Sequence, residues 1–198
     1  MYCVLRRYDV DPANVDAIVH SIESGGVPLL RSAGGFVSYS VAASGNELLT
    51  ISVYQDKSGA DESVRIAADY VKEHLAPLFK KSPTIFGGDV KLRVANPTTS
   101  ARFGVMRRYS VNQSAMAEIV SRAQAEFLPL IQGVPGLARY TIVDEGDGHL
   151  TSLSAFDSKA SAEESTRVAG AWVRDNLAVH VQGSPEVVTA DIKLSVLA

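Results

Sequence analysis

At 198 residues, 46% hydrophobic and 21% charged, the chain is long enough for one large domain or two small ones, each with its own core. A formal net charge of −3 leaves no broad basic surface, which excludes nucleic acid and acidic lipid as expected partners. The single cysteine, Cys3, rules out an intrachain disulfide framework, and no run approaches the roughly 18 apolar residues of a membrane span, so the expected setting is the cytoplasm.

The first predicted element is a strand over about 2–10, "YCVLRRYDV", in which Tyr2, Val4, Tyr8 and Val10 share one face and Cys3 and Leu5 the other. Cys3 reads as a small core residue there. A helix follows over about 12–30, with Val15, Ile18, Val19 and Ile22 at helical spacing. Two short strands come next, about 36–43 and 47–55, joined by a tight turn at Gly45-Asn46. A second helix starts near Ser58, and a last strand is expected over 89–95.

The same order then repeats. Residues 4–41 align with 105–142, pairing Val4, Arg6, Arg7, Tyr8 and Val10 with Val105, Arg107, Arg108, Tyr109 and Val111. One extra residue in "EGDGH", against "SGNE", shifts the offset by one; Glu62-Ser63-x-Arg65 then matches Glu164-Ser165-x-Arg167, and Ser82-Pro83 matches Ser184-Pro185. The expected organisation is a repeat over 1–95, a linker over 96–102 and a repeat over 103–198. Each repeat reads βαββαβ, the ferredoxin-like split unit, whose antiparallel sheet has both helices on one face. Because the other strand face is also partly apolar, it too must be covered, and the simplest cover is the matching face of the other repeat.

That arrangement resembles the dimeric α+β barrel superfamily, and within it the antibiotic-biosynthesis-monooxygenase-like proteins. The likeness spans nearly the whole chain. It rests on the βαββαβ order, the "P-x-L…G-[FL]-x-x-Y" approach to the second strand, and "EESTRVAGAWVRDNLA" followed by "SPEVVTADI". It implies an α+β fold in which two tandem ferredoxin-like repeats form one barrel, an intrachain pseudo-dimer either alone or within a homodimer. For function it implies a cofactor-independent monooxygenase-like enzyme acting on a small phenolic or enolisable substrate. The competing reading is a non-catalytic small-molecule-binding or stress-associated barrel, and a third is haem binding and degradation. Haem-degrading relatives use a histidine of the second helix with an asparagine on the first strand and a tryptophan; no asparagine stands on either first strand here.

The candidate ligand-binding residues are Arg6, Arg7, Tyr8, Arg107, Arg108, Tyr109, Tyr70, Trp172 and His180. Adjacent arginines on a strand point to opposite faces, so one of each pair approaches the lumen, where a guanidinium can hold a carboxylate, phenolate or oxyanion. The structural alternative is an ion pair with Asp89, Asp191, Glu62 or Glu164. Tyr70 and Trp172 belong to the second helices' inward stripes and offer flat surfaces for stacking. His180 ends the second of those stripes, where the first repeat has Leu78; Trp172 for Tyr70, Arg139 for Ser38 and Asn176 for His74 are further breaks in the repeat. The scattered histidines, His20, His74, His149 and His180, show no metal-ligand spacing, and no glycine-rich phosphate loop follows a strand. No cofactor or metal is therefore expected.

Overall fold

A computed structural model describes residues 1–198. The chain runs β1 (Tyr2–Asp9), α1 (Val15–Ser21), α2 (Val27–Ser32), β2 (Phe36–Ser44), β3 (Glu47–Tyr54), α3 (Lys57–Tyr70), β4 (Thr84–Ala95), β5 (Phe103–Val111), α4 (Met116–Arg122), α5 (Leu128–Gln132), β6 (Leu137–Asp144), β7 (His149–Phe156), α6 (Lys159–Asn176) and β8 (Val181–Leu197). Strand neighbours follow β1-β3-β2-β8-β5-β7-β6-β4, and the order closes on itself, so the fold is α+β with an eight-stranded antiparallel barrel. No helix is long and apolar enough to cross a membrane.

The chain divides into two compact units, Met1–Gly88 with Ile192–Ala198, and Asp89–Asp191. These limits depart from the repeat boundaries at β4 and β8, which also start earlier than the expected 89 and 191. Asp89–Ala95 of β4 pair with β6 inside the second unit, while the tail of β8 belongs to the first, where the Ala198 amide donates to the Val37 carbonyl. The strand β8 carries Pro185 beside a bulge, between pairs Arg108↔Glu186 and Ser110↔Gln182, where a proline needs no ladder partner, whereas Pro83 stands just before β4.

In the first unit the helices cover one sheet face, burying Tyr8, Val10, Ile18, Leu30, Tyr39, Val41, Leu48 and Leu75 together. The expected first helix is split: a wide π-type turn over Ile22–Gly26 separates α1 from α2, and Ala123–Phe127 does the same between α4 and α5. Asp56 caps α3 by accepting from the Gly59 amide, and Ser158 caps α6 by accepting from the Ser161 amide. The second unit buries the matching set, with Tyr109, Ile119, Phe127, Ile131, Tyr140, Ile142, Phe156 and Trp172. Gly170 lies on α6 with nothing within 4 Å of an added Cβ. Gly170→Ala should therefore stabilise the protein by about 0.5–1 kcal/mol, read as a shift of the urea midpoint at constant slope.

Candidate functional site

Alternation along β1 puts Arg6 under the helices with Tyr8, and Arg7 on the opposite face. Arg6 is only 2% exposed. Its Nη1 donates to Ser52 Oγ at 3.0 Å and its Nη2 to Ser63 Oγ at 3.2 Å. Nε is buried and has no partner. Neither Glu62 nor Asp89 meets this guanidinium; its partners are hydroxyls. Ser63 in turn donates to the Ala60 carbonyl at 2.7 Å, one turn back on α3. A buried cation neutralised by no carboxylate invites an anion.

Arg6 lies at the bottom of a cleft of about 460 Å³, the size of a small-molecule site. Tyr8, Val64, Ala68, Val71, Ala76, Phe79, Pro83 and Ile85 make its largely apolar walls, and Lys72, Lys81 and Ser82 complete them. The lining contains no Asp, Glu or His. Tyr8 stacks on Phe79, centroids 4.4 Å apart, and burial raises its phenol above the ordinary value while Arg6 works the other way. Tyr70 is committed elsewhere: its hydroxyl donates to the Ser21 carbonyl at 2.7 Å, and its ring closes on Gly25 and Gly26 of the wide turn. A pocket of about 20 Å³ beside it holds no more than a water.

The second unit repeats the arginine but not its surroundings. Arg107, also 2% exposed, donates to Ser154 (3.1 Å), Ser165 (2.7 Å) and Thr166 (3.0 Å). Burial lowers its pKa, with Tyr109 and Tyr140 offsetting the effect. Thr166 stands where the first unit has Val64, so Arg107 gains a third hydroxyl that Arg6 lacks. Val64→Thr should supply that hydroxyl to Arg6 and weaken anion binding about three- to tenfold, measurable by calorimetric titration.

The segments before β4 and β8 also part company. Val10 bridges Phe79 in the first unit as Val111 pairs with Val181 in the second. Two residues on, Gly183 takes φ +69°, and its counterpart is Lys81, which does not have positive φ. A side chain at that conformation costs about 1–2 kcal/mol, so Lys81 and its neighbours leave the strand path, and they border the cleft.

Trp172 is buried against Phe127, centroids 5.1 Å apart. Together with Tyr109 it lines a cavity of about 30 Å³, scarcely larger than its counterpart in the first unit. His180 is not on the second helix, a correction to the sequence expectation. Leu177 leaves helical geometry (φ −122°, ψ 8°) and ends α6 at Asn176, so His180 sits in the following turn, 3.4 Å from Glu118. The structure thus brings Arg6 and Tyr8 together in one cleft, Tyr109 and Trp172 in a small cavity, and leaves His180 outside both.

On the opposite sheet faces, Arg7 lies 3.9 Å from Glu47. Arg108 holds Glu145 in a two-pronged pair, Nε to Oε1 at 3.0 Å and Nη2 to Oε2 at 2.7 Å, and Thr151 donates to the same carboxylate at 2.7 Å. These carboxylates are not among those expected from the sequence. The Glu145 side chain is 3% exposed, and Glu145→Gln should cost about 2 kcal/mol by removing the two-pronged charged pair with Arg108, visible in urea unfolding. Glu145, Asp147 and His149 also bring three possible ligand atoms within 4.8 Å of one another, a grouping that no metal-ligand spacing in the sequence announces. The hairpin between β6 and β7 creates it, and Arg108 already neutralises its buried member.

Ser52, Ser63, Lys72, Phe79 and Lys81 were absent from the sequence-derived candidates. Ser52 and Ser63 recur as Ser154 and Ser165, and that shared spacing was the available signal.

No family model matches the chain, and no curated protein resembles it in sequence. Solved structures do resemble it in three dimensions. A candidate monooxygenase of Lactobacillus acidophilus superposes with a TM-score of 0.77 at 10% identity, over 99% of this chain and 95% of that one. An anthrone oxidase-like protein gives 0.64 at 17%, over 99% and 92%. A haem-degrading enzyme of Listeria monocytogenes gives 0.54 at 8%, over 96% and 99%. At such identities the likeness is one of fold. What the chain shares with these structures is the fold: two ferredoxin-like repeats whose strands close one eight-stranded antiparallel ring.

Proposed function

We propose that the cleft above Arg6 binds a small phenolic or enolisable compound as its anion, and that the protein is a cofactor-independent, monooxygenase-like oxidoreductase. The observation that carries this reading is a fully buried arginine with only hydroxyl partners at the base of a 460 Å³ cleft that contains no acid. A fixed cation in a low-dielectric wall lowers the pKa of a bound phenol or enol and needs no reorganisation to do so. Val64, Val71, Phe79 and Ile85 keep water from the rest of the ring system. For an anthrone-type methylene, the enolate carbon gives an electron pair to O2 and forms a C–O bond. The resulting peroxide takes one proton from solvent. Loss of water then leaves a carbonyl, with one oxygen atom in the product, the other in water, and no external reductant.

The haem chemistry of the Listeria fold relative does not suit these residues. His180 faces Glu118 rather than a cavity, and the space beside Trp172 holds about one water. Tyr8, which does line the larger cleft, is kept in its phenol form. Among the two remaining readings, a non-catalytic binder draws support from the missing general base in the lining. Oxygen-electrode and absorbance measurements with anthrone separate them. The enzyme reading expects protein-dependent O2 uptake with appearance of the quinone. Saturable binding of anthrone with no uptake above the uncatalysed rate leaves the binder.

A further inference from the structure

We infer that the natural ligand of the Arg6 cleft is an anion twice over: a hydroxyaryl compound bearing a second acidic group, a carboxylate, at the end remote from the reacting oxygen. This rests on the reading of the cleft as a site for a phenolate or enolate. The inner and outer ends of the cleft are both cationic, but in different ways. Arg6 is buried at the sheet and can meet one oxygen of a ligand held between the apolar walls. Lys72, on the turn that prolongs α3, and Lys81, before β4, are exposed and line the same cleft. With no carboxylate among the lining residues, two rim ammonium groups and one buried guanidinium leave a net positive site that a neutral phenol answers only in part.

Lys81 is not otherwise committed. Its one ion pair is with Asp9 at 3.9 Å, the Lys81 side chain is 71% exposed, and Asp9 also meets Lys80 at 3.5 Å and Asn46 at 3.3 Å. Exchanging so weak a surface contact for a ligand carboxylate costs little. In the second unit Lys72 is matched by Arg174, but the position matching Lys81 is Gly183, so that rim cation belongs to the first cleft alone. The same residue therefore leaves the strand path and supplies charge where it does so.

The test compares 6-hydroxy-2-naphthoate, 2-naphthol and 2-naphthoate by fluorescence titration of the intact chain. The hydroxy acid should bind about tenfold more tightly than 2-naphthol, and the advantage should shrink as salt rises. The double variant Lys72→Met, Lys81→Met should erase that advantage while leaving 2-naphthol affinity within about twofold; methionine keeps the stem length and the negative φ. Equal affinity of the hydroxy acid and 2-naphthol overturns the inference and leaves the phenolate site standing, as does an advantage that survives the double variant. Binding of 2-naphthoate as tight as that of the hydroxy acid places the carboxylate on Arg6 and overturns it as well. If none of the three compounds binds, the reading of the cleft fails with it.

Discussion

Arg6→Met is expected to lower the affinity of the first-unit cleft for phenolate ligands by about 10- to 150-fold, the worth of a hydrogen bond to a charged group inside a protein. Folding should survive the change. Ser63 keeps its bond to the Ala60 carbonyl at 2.7 Å, and Ser52 keeps a longer one to the Val4 carbonyl at 3.4 Å. Removing a buried cation that has no counter-ion also relieves a desolvation cost, so the variant should melt at or above the temperature of the parent. Arg107→Met is the matched control, because Arg107 is already held by three hydroxyls and should leave ligand affinity untouched. Loss of ligand binding together with a stable fold is the signature of a functional guanidinium. A variant that unfolds, or binds as well as the parent, sinks the assignment.

Gly87→Ala should be among the most damaging small substitutions in the first unit. Gly87 has φ +154°, and a Cβ there would lie 2.1 Å from the Cys3 carbonyl oxygen and 3.0 Å from Val4 Cα. Both obstacles are backbone of β1, buried on every side, so neither can step aside as a flexible side-chain end would. Overpacking and the strained φ together cost about 3–5 kcal/mol. In a protein of this length that lowers the melting temperature by about 10 °C, measurable by circular dichroism. Ile85, two residues earlier, lines the ligand cleft, so binding should weaken in the variant even below its melting transition. A loss of less than 1 kcal/mol would show that β1 and β4 are free to separate.

The repeat was the most legible feature of the sequence. Matching "VLRRYDV" with "VMRRYSV" implied two ferredoxin-like repeats, and period-2 alternation placed Arg6 with Tyr8 and Arg7 with Cys3 and Leu5. Those are local consequences of a backbone that alternates sides, and they need no tertiary information. Strand ends were less legible. The strand β8 runs on through Pro185, since a bulge that accommodates proline depends on a partner strand that the local sequence does not reveal. The end of α6 was misread for a similar reason: helical periodicity continues through Leu177 to His180, while the chain turns at Leu177 to begin β8.

The candidate site shows the division most plainly. Strand alternation puts the two arginines of each pair on opposite faces and does not decide which of them is buried. Nor does it reveal the partners of Arg6, because Ser52 and Ser63 lie 46 and 57 residues away and are ordinary serines until the sheet and α3 bring them to the guanidinium. Departures from the repeat drew notice to Trp172 and His180, the bulky and titratable ones. The substitutions that distinguish the arginine sites are quieter: Val64 for Thr166, which withholds a third hydroxyl, and Lys81 for Gly183, which forbids a left-handed turn. Sequence determined that this chain builds one fold twice, since hydrophobic period and turn residues act within each repeat. Only tertiary structure decided which copy leaves its arginine facing an open cleft, because that depends on a hydroxyl and a backbone angle at positions distant in the chain.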